Sequence, residues 1–78
     1  MKDLVEYLAK SLVNNPGAVE INETTSDGMS VVQLKVAKED FGRIIGKQGR
    51  TAKSIRTLVN AAAAIGNRKV VLEFFEEK

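Results

Sequence analysis

Ile44-Ile45-Gly46-Lys47-Gln48-Gly49-Arg50-Thr51-Ala52-Lys53-Ser54-Ile55 sets a pair of glycines between a short apolar run and a longer series with helical spacing. Just ahead of it, Asp40 can cap a short helical turn through Phe41-Gly42-Arg43-Ile44-Ile45, because a carboxylate accepts from the open amides of a first turn. Gly46 breaks that turn, and the chain restarts after Gly49. From Arg50 onward Ala52, Ile55, Val59, Ala62 and either Ala63 or Ile65 share one face, while Arg50, Lys53 and Arg56 project around another, until Gly66-Asn67 ends the helix. The small residues Ala61 to Ala64 allow close packing there.

A Gly-x-x-Gly spacing carries little weight alone: at ordinary glycine frequency a chain of this size holds about 0.4 by chance. Its setting supplies the meaning. Glycines at both shoulders thrust Lys47 and Gln48 outward on a backbone with little bulk and expose its N–H groups. The helix that begins at Arg50 would aim its N-terminal amides and positive dipole end the same way, which favours an anion. Lys47 and Arg50 add formal charge. A nucleic-acid backbone would meet close-approach glycines, oriented donors and cations within one helical turn.

The flanking segments supply the frame. Asp3 and Glu6 have the form of a helix-opening pair, and Leu4, Val5, Leu8, Leu12 and Val13 recur at helical spacing up to Asn14-Asn15-Pro16-Gly17. Ala18 to Thr25 alternates with Val19 and Ile21 on one face, Ser26-Asp27-Gly28 is a turn cluster, and Met29 to Val36 alternates with Val32, Leu34 and Val36 aligned. Lys69 to Phe75 is β-branched and aromatic, ahead of the charged tail Glu76-Glu77-Lys78. The order is helix, strand, strand, helix, helix, strand. It predicts an α+β domain over residues 1–78, with a three-stranded mixed sheet covered on one face by three helices. The last strand, reached through a helical crossover, should lie parallel to Met29–Val36.

Composition narrows the function classes. With 78 residues, 44% apolar and 28% charged, the chain suits one small globular domain. It has no Cys and no His, which removes disulfides, thiolate metal sites and the commonest general base. The charged start Met1-Lys2-Asp3 leaves no signal-peptide core, and no apolar run reaches membrane-span length, so a cytoplasmic location is expected. The net charge is only +2, but Lys38 to Arg56 holds six cations (Lys38, Arg43, Lys47, Arg50, Lys53, Arg56) against Glu39 and Asp40, a local excess of +4. Gly42 to Lys47 superficially resembles a nucleotide-binding P-loop, yet its spacing is one residue short and Gln48 stands where a magnesium-holding Ser or Thr belongs. Glu20, Glu23, Glu73, Glu76 and Glu77 read as solubilising charges rather than converging acid and base. No catalytic residue, metal or cofactor is expected.

Base choice would need a second surface beside the turn, because phosphate contacts position a strand without reading it. Ile45, Ala52 and Ile55 offer an apolar strip on which bases could lie, although the same three residues, Ile55 above all, also suit plain core packing.

The segment Ile44 to Ile55 resembles the hallmark stretch of KH domains, whose GXXG loop clamps about four nucleotides. The element order resembles the prokaryotic type II KH arrangement. Asp40-Phe41-Gly42-Arg43 with the following Ile44 to Val59 is similar to the small bacterial single-KH family KhpA (YlqC), over nearly the whole chain. The resemblance implies a cytoplasmic protein that binds single-stranded RNA, an RNA chaperone or post-transcriptional regulator and not an enzyme. It further implies pairing as a homodimer or as a heterodimer with a larger Jag-type KH protein, and a role in cell shape and envelope synthesis. The RNA-binding positions would be Arg43, Ile45, Gly46, Lys47, Gln48, Gly49, Arg50, Ala52, Lys53 and Ile55. Many eukaryotic KH domains carry a larger aliphatic residue at the position of Ala52, so groove depth and base preference do not transfer. A competing reading makes the chain an interaction module whose Ala61–Ala64 helix or open strand edges bind another KH chain.

Overall fold

Asp27 and Gly28 reverse the chain with φ of 49° and 78°, the positive values that a two-residue hairpin turn demands and that Asp and Gly tolerate. In the computed structural model, which describes residues 2–77, this turn joins β1 (Glu20–Ser26) to β2 (Met29–Val36). The strands pair antiparallel, from Ser26 opposite Met29 to Glu20 opposite Lys35. β2 is the central strand, and β3 (Lys69–Glu76) pairs with it in parallel, from Met29 opposite Lys69 to Val36 opposite Glu76. Parallel neighbours require a crossover. Here it consists of α2 (Lys38–Ile45), a 3-10 turn (Lys47–Gly49) and α3 (Arg50–Ile65).

Period-two alternation decides which side of the sheet the helices cover. Ser30, Val32, Leu34 and Val36 of β2 are buried, as are Val70 and Leu72 of β3. Against them pack Val5 and Ala9 of α1 (Lys2–Leu12), Ile44 of α2, and Ile55, Val59 and Ala63 of α3. Burying each of the larger aliphatic side chains is worth about 1.5–3 kcal/mol. The opposite sheet face is open: Gln33 donates to Glu73 at 3.3 Å, Lys35 pairs with Glu20 at 3.3 Å, and Val71 and Phe75 are exposed. Such surface pairs contribute at most about 1 kcal/mol each.

Four local expectations are corrected. Asp40 does not cap α2: the helix begins two residues earlier at Lys38, with Ala37 in the cap position and no side-chain cap bond. Asp40 is instead buried, and its two carboxylate oxygens accept the backbone N–H groups of Asn14 and Asn15, each at 3.0 Å. The carboxylate thus satisfies amides just beyond α1 and ties α2 to the first loop. Asp3 lies inside the first turn of α1, where it complements the helix dipole from within. Strand β1 starts at Glu20 rather than Ala18, because Pro16–Ala18 form a 3-10 turn closed by Val19 N–H donating to Pro16 O at 3.2 Å. On α3 the buried slot is filled by Ala63, while Ile65 is 89% exposed. The tail residue Lys78 lies outside the described residues.

Candidate nucleic-acid interface

The glycine turn is built from backbone that ordinary residues resist. Gly46 has φ 78° and ψ 175°, Gln48 has φ 56° and Gly49 has φ 76°. The two glycines are required for different reasons. A Cβ at Gly46 would collide with Thr51, coming within 2.8 Å of its backbone N, so only glycine fits. A Cβ at Gly49 would meet nothing within 4 Å, so that position needs glycine for its conformation alone.

Hydrogen bonds close the turn on itself. Gly46 N–H donates to Gly42 O at 2.8 Å, Gly49 N–H to Gly46 O at 3.1 Å, and Arg50 N–H to Lys47 O. The amide of Arg50 is therefore spent within the turn, which narrows the expectation of free donors at the start of α3. The donors left for a ligand by position are those of Lys47 and Gln48, the first two residues of the 3-10 turn. Both side chains are exposed, as are Arg43 in the last turn of α2 and Arg50 and Lys53 in α3.

The apolar strip is smaller than expected. Ala52 is 4% and Ile55 6% exposed, both packed beneath α3, and Ile55 belongs to the main core. Only Ile45 is half-buried at the surface beside the turn. The helical spacing of Ala52 and Ile55 fits burial as well as a groove; both are buried, and Ile55 packs in the cluster that joins α3 to the sheet.

The structure singles out two residues outside the expected set. Arg56 Nε donates to Leu72 O at 3.2 Å, and its guanidinium lies over the Phe74 ring, 4.9 Å from the centroid. The sequence signal was the row Arg50, Lys53, Arg56 at three-residue steps, but nothing local linked that row to β3.

A parallel β2–β3 pair, crossed by two helices that a Gly-Lys-Gln-Gly turn separates, with α1 and β1 ahead of it, defines a type II KH domain. Within that class a family model described as KhpA/KhpB, KH domain, matches residues 2–74. The chain belongs to this family. It is 55% identical over 73 residues to the RNA-binding protein KhpA of Clostridium perfringens, covering 94% of this chain and 97% of that one. Against the RNA-binding protein KhpA of Chlamydia caviae it is 47% identical over 78 residues, the full length of both. Among solved structures it is similar to Era of Aquifex aeolicus bound to GDP and aluminium fluoride, with TM-score 0.62 and 26% identity. An Era complex with MgGDPNP and nucleotides 1506–1542 of 16S ribosomal RNA matches with TM-score 0.61 and 26% identity. Those matches cover 95% of this chain but only 29% and 28% of the Era chains.

Proposed function

We propose that the protein binds single-stranded RNA without catalysing a reaction, holding the RNA backbone at Gly46-Lys47-Gln48-Gly49. The observation that carries this reading is the turn itself: a glycine that Thr51 makes irreplaceable, two exposed side chains at the apex, and Arg43, Arg50 and Lys53 exposed on the flanking helices. The similarity to proteins named for RNA binding, over nearly all of both chains, supports it. Phosphates would meet the amides and cations at the turn, while bases would lie toward Ile45, with Ala52 and Ile55 as the packed floor beneath. The test is replacement of Lys47 and Gln48 together by Asp, followed by titration of a labelled single-stranded RNA. Binding should be abolished with the circular dichroism spectrum unchanged, because both side chains are exposed. Retained affinity would sink the assignment. Wild-type affinity should also fall with added salt, with a slope of about −0.7 per phosphate contacted.

A second reading stands beside it, favoured by α3. Leu58 and Ile65 are 49% and 89% exposed, and with Ser54 and Ala61 they form one stripe at helical spacing. We propose that this stripe pairs with a second KH chain, as a homodimer or with a Jag-type partner, which would raise RNA affinity through effective concentration. Ile65→Glu should then turn a dimer into a monomer in light scattering. A wild-type chain that is monomeric at high concentration and co-purifies with no KH partner would remove the idea. Among the described residues no helix is long and apolar enough to cross a membrane. A cytoplasmic chaperone or regulatory role in cell shape and envelope synthesis is the biological setting this reading suggests, to be checked by the morphology of a deletion strain.

A further inference from the structure

Among the described residues β1 pairs with β2 alone, so its other side is a sheet edge. Glu23 and Thr25 stand opposite the buried Val32 and Ser30, on the side of the sheet that the helices cover. Both are nevertheless exposed, and of the seven residues of β1 only Ile21 is half-buried, against the core. The helices therefore stop short of this edge. Its hydrogen-bonding phase follows from the hairpin. Ser26 and Met29 close a two-residue turn and exchange hydrogen bonds, and in an antiparallel pair bonded and unbonded partners alternate. The main-chain groups of Glu20, Asn22, Thr24 and Ser26 thus point to β2, while Ile21, Glu23 and Thr25 each turn one N–H and one C=O outward. Among the described residues no backbone hydrogen bond outside the ladder reaches those outward groups.

The usual protections of an edge are missing. β1 holds no proline and no lysine, and its register to β2 runs without a bulge from Glu20 opposite Lys35 to Ser26 opposite Met29. It carries acid instead: from Glu20 to Asp27 the charged residues are Glu20, Glu23 and Asp27. Glu20 pairs with Lys35 at 3.3 Å, whereas Glu23 at the middle of the edge and Asp27 at its end have no ion-pair partner among the described residues. Charge selects the occupant. A nucleic-acid backbone is repelled here. A second copy paired antiparallel along the whole strand would set Glu23 directly against Glu23, which destabilises a ladder. A cationic strand gains at the same position.

We propose that the outer edge of β1 takes up a strand from a partner protein: an extended segment, antiparallel to β1, with a lysine or arginine opposite Glu23. Main-chain bonds to Ile21, Glu23 and Thr25 supply the affinity, and Glu23 with Asp27 supplies the preference for a basic sequence. β1 and β3 are opposite edges of the sheet, so this surface is separate from the α3 stripe and from the strand that follows α3.

The test titrates the isotopically labelled full chain, followed by NMR, with a synthetic peptide of alternating lysine and threonine as long as β1. The amide signals of Ile21, Glu23 and Thr25 should move and gain protection from hydrogen exchange, while Asn22 and Thr24, already bonded to β2, keep the protection they have. In antiparallel pairing the peptide residues opposite the outward groups are the ones that donate. Methylating the main-chain nitrogens of the peptide's lysines should therefore abolish binding, and methylating those of its threonines should not. Glu23→Lys, at an exposed position, should weaken the peptide by about tenfold through a lost attraction and a new repulsion. The same variant should bind a glutamate–threonine peptide more tightly than wild type does. Where Glu23→Lys is poorly folded, the methylated peptides decide the matter on the wild-type chain. No binding of the lysine peptide, binding that survives methylation of its lysine nitrogens, or signals that move at Glu73, Glu76 and Glu77 instead would overturn the proposal. Protection at Ile21, Glu23 and Thr25 that rises with protein concentration before any peptide is added would give the edge to a second copy, and overturn it equally.

Discussion

Two turns of this chain share a local backbone and differ in everything around it. Asp27-Gly28 and Gln48-Gly49 are both a polar residue followed by glycine, with φ of 49° and 78° in the first and 56° and 76° in the second. The first joins two strands, so the residues beside it, Ser26 and Met29, enter the antiparallel ladder at once. The second joins two helices across a 3-10 turn, leaving Lys47 and Gln48 exposed with amides that no helix consumes. Its neighbours are the exposed cations Arg43, Arg50 and Lys53, whereas the hairpin turn carries an acid. A left-handed glycine pair is therefore not a binding site in itself. The type of element on its C-terminal side, and the charges that element presents, decide whether its donors are spent on the fold or left for a ligand.

The contrast can be broken most severely at Gly46. Gly46→Ala forces a Cβ against Thr51 at a φ of 78°, combining overpacking with left-handed strain. It should cost about 3 kcal/mol in urea unfolding, and RNA binding by the remaining folded fraction should be lost. Wild-type stability in that variant would show that the turn relaxes freely. Next in size is Asp40→Asn. The amide nitrogen would face one of the two N–H groups that the carboxylate now satisfies, and a cost of about 2 kcal/mol is expected. Because Asp40 lies in the first turn of α2, the helix leading to the glycine turn, RNA affinity should also decline modestly. An unchanged unfolding midpoint would mean that the loop at Asn14 and Asn15 finds other partners. Smallest is Gly28→Ala at the hairpin. There a Cβ meets nothing within 4 Å, so only the strain of positive φ remains, about 1 kcal/mol, and RNA affinity per folded molecule should match wild type. A loss of RNA binding from that change would abolish the distinction between the two turns.

Much of the architecture was legible before any coordinates. Alternation in Met29–Val36, the turn cluster Ser26-Asp27-Gly28 and the helical spacing after Arg50 are local signals, and each gave the element observed, except that Ser26 belongs to β1 and leaves Asp27 and Gly28 as the turn. The parallel placement of β3 followed from the rule for helical crossovers. Element edges read less well. Asp40 has the chemistry of a cap, and its burial against Asn14 and Asn15 depends on residues about 25 positions away that no local pattern names.

The candidate site divides along the same line. By itself the sequence determined the turn, its outward Lys47 and Gln48, and the cluster of cations around it, because glycine conformation and charge are properties of neighbouring residues. It left Ala52 and Ile55 between groove and core, since helical spacing shows only that two side chains share a face. Tertiary structure decided that both are buried, with Ile55 in the cluster that joins α3 to the sheet. It also decided that Arg56 reaches Leu72 and Phe74. That contact joins segments brought together only when β3 pairs with β2, and long-range packing of this kind is set by the shape of the whole core, not by the residues on either side of an arginine.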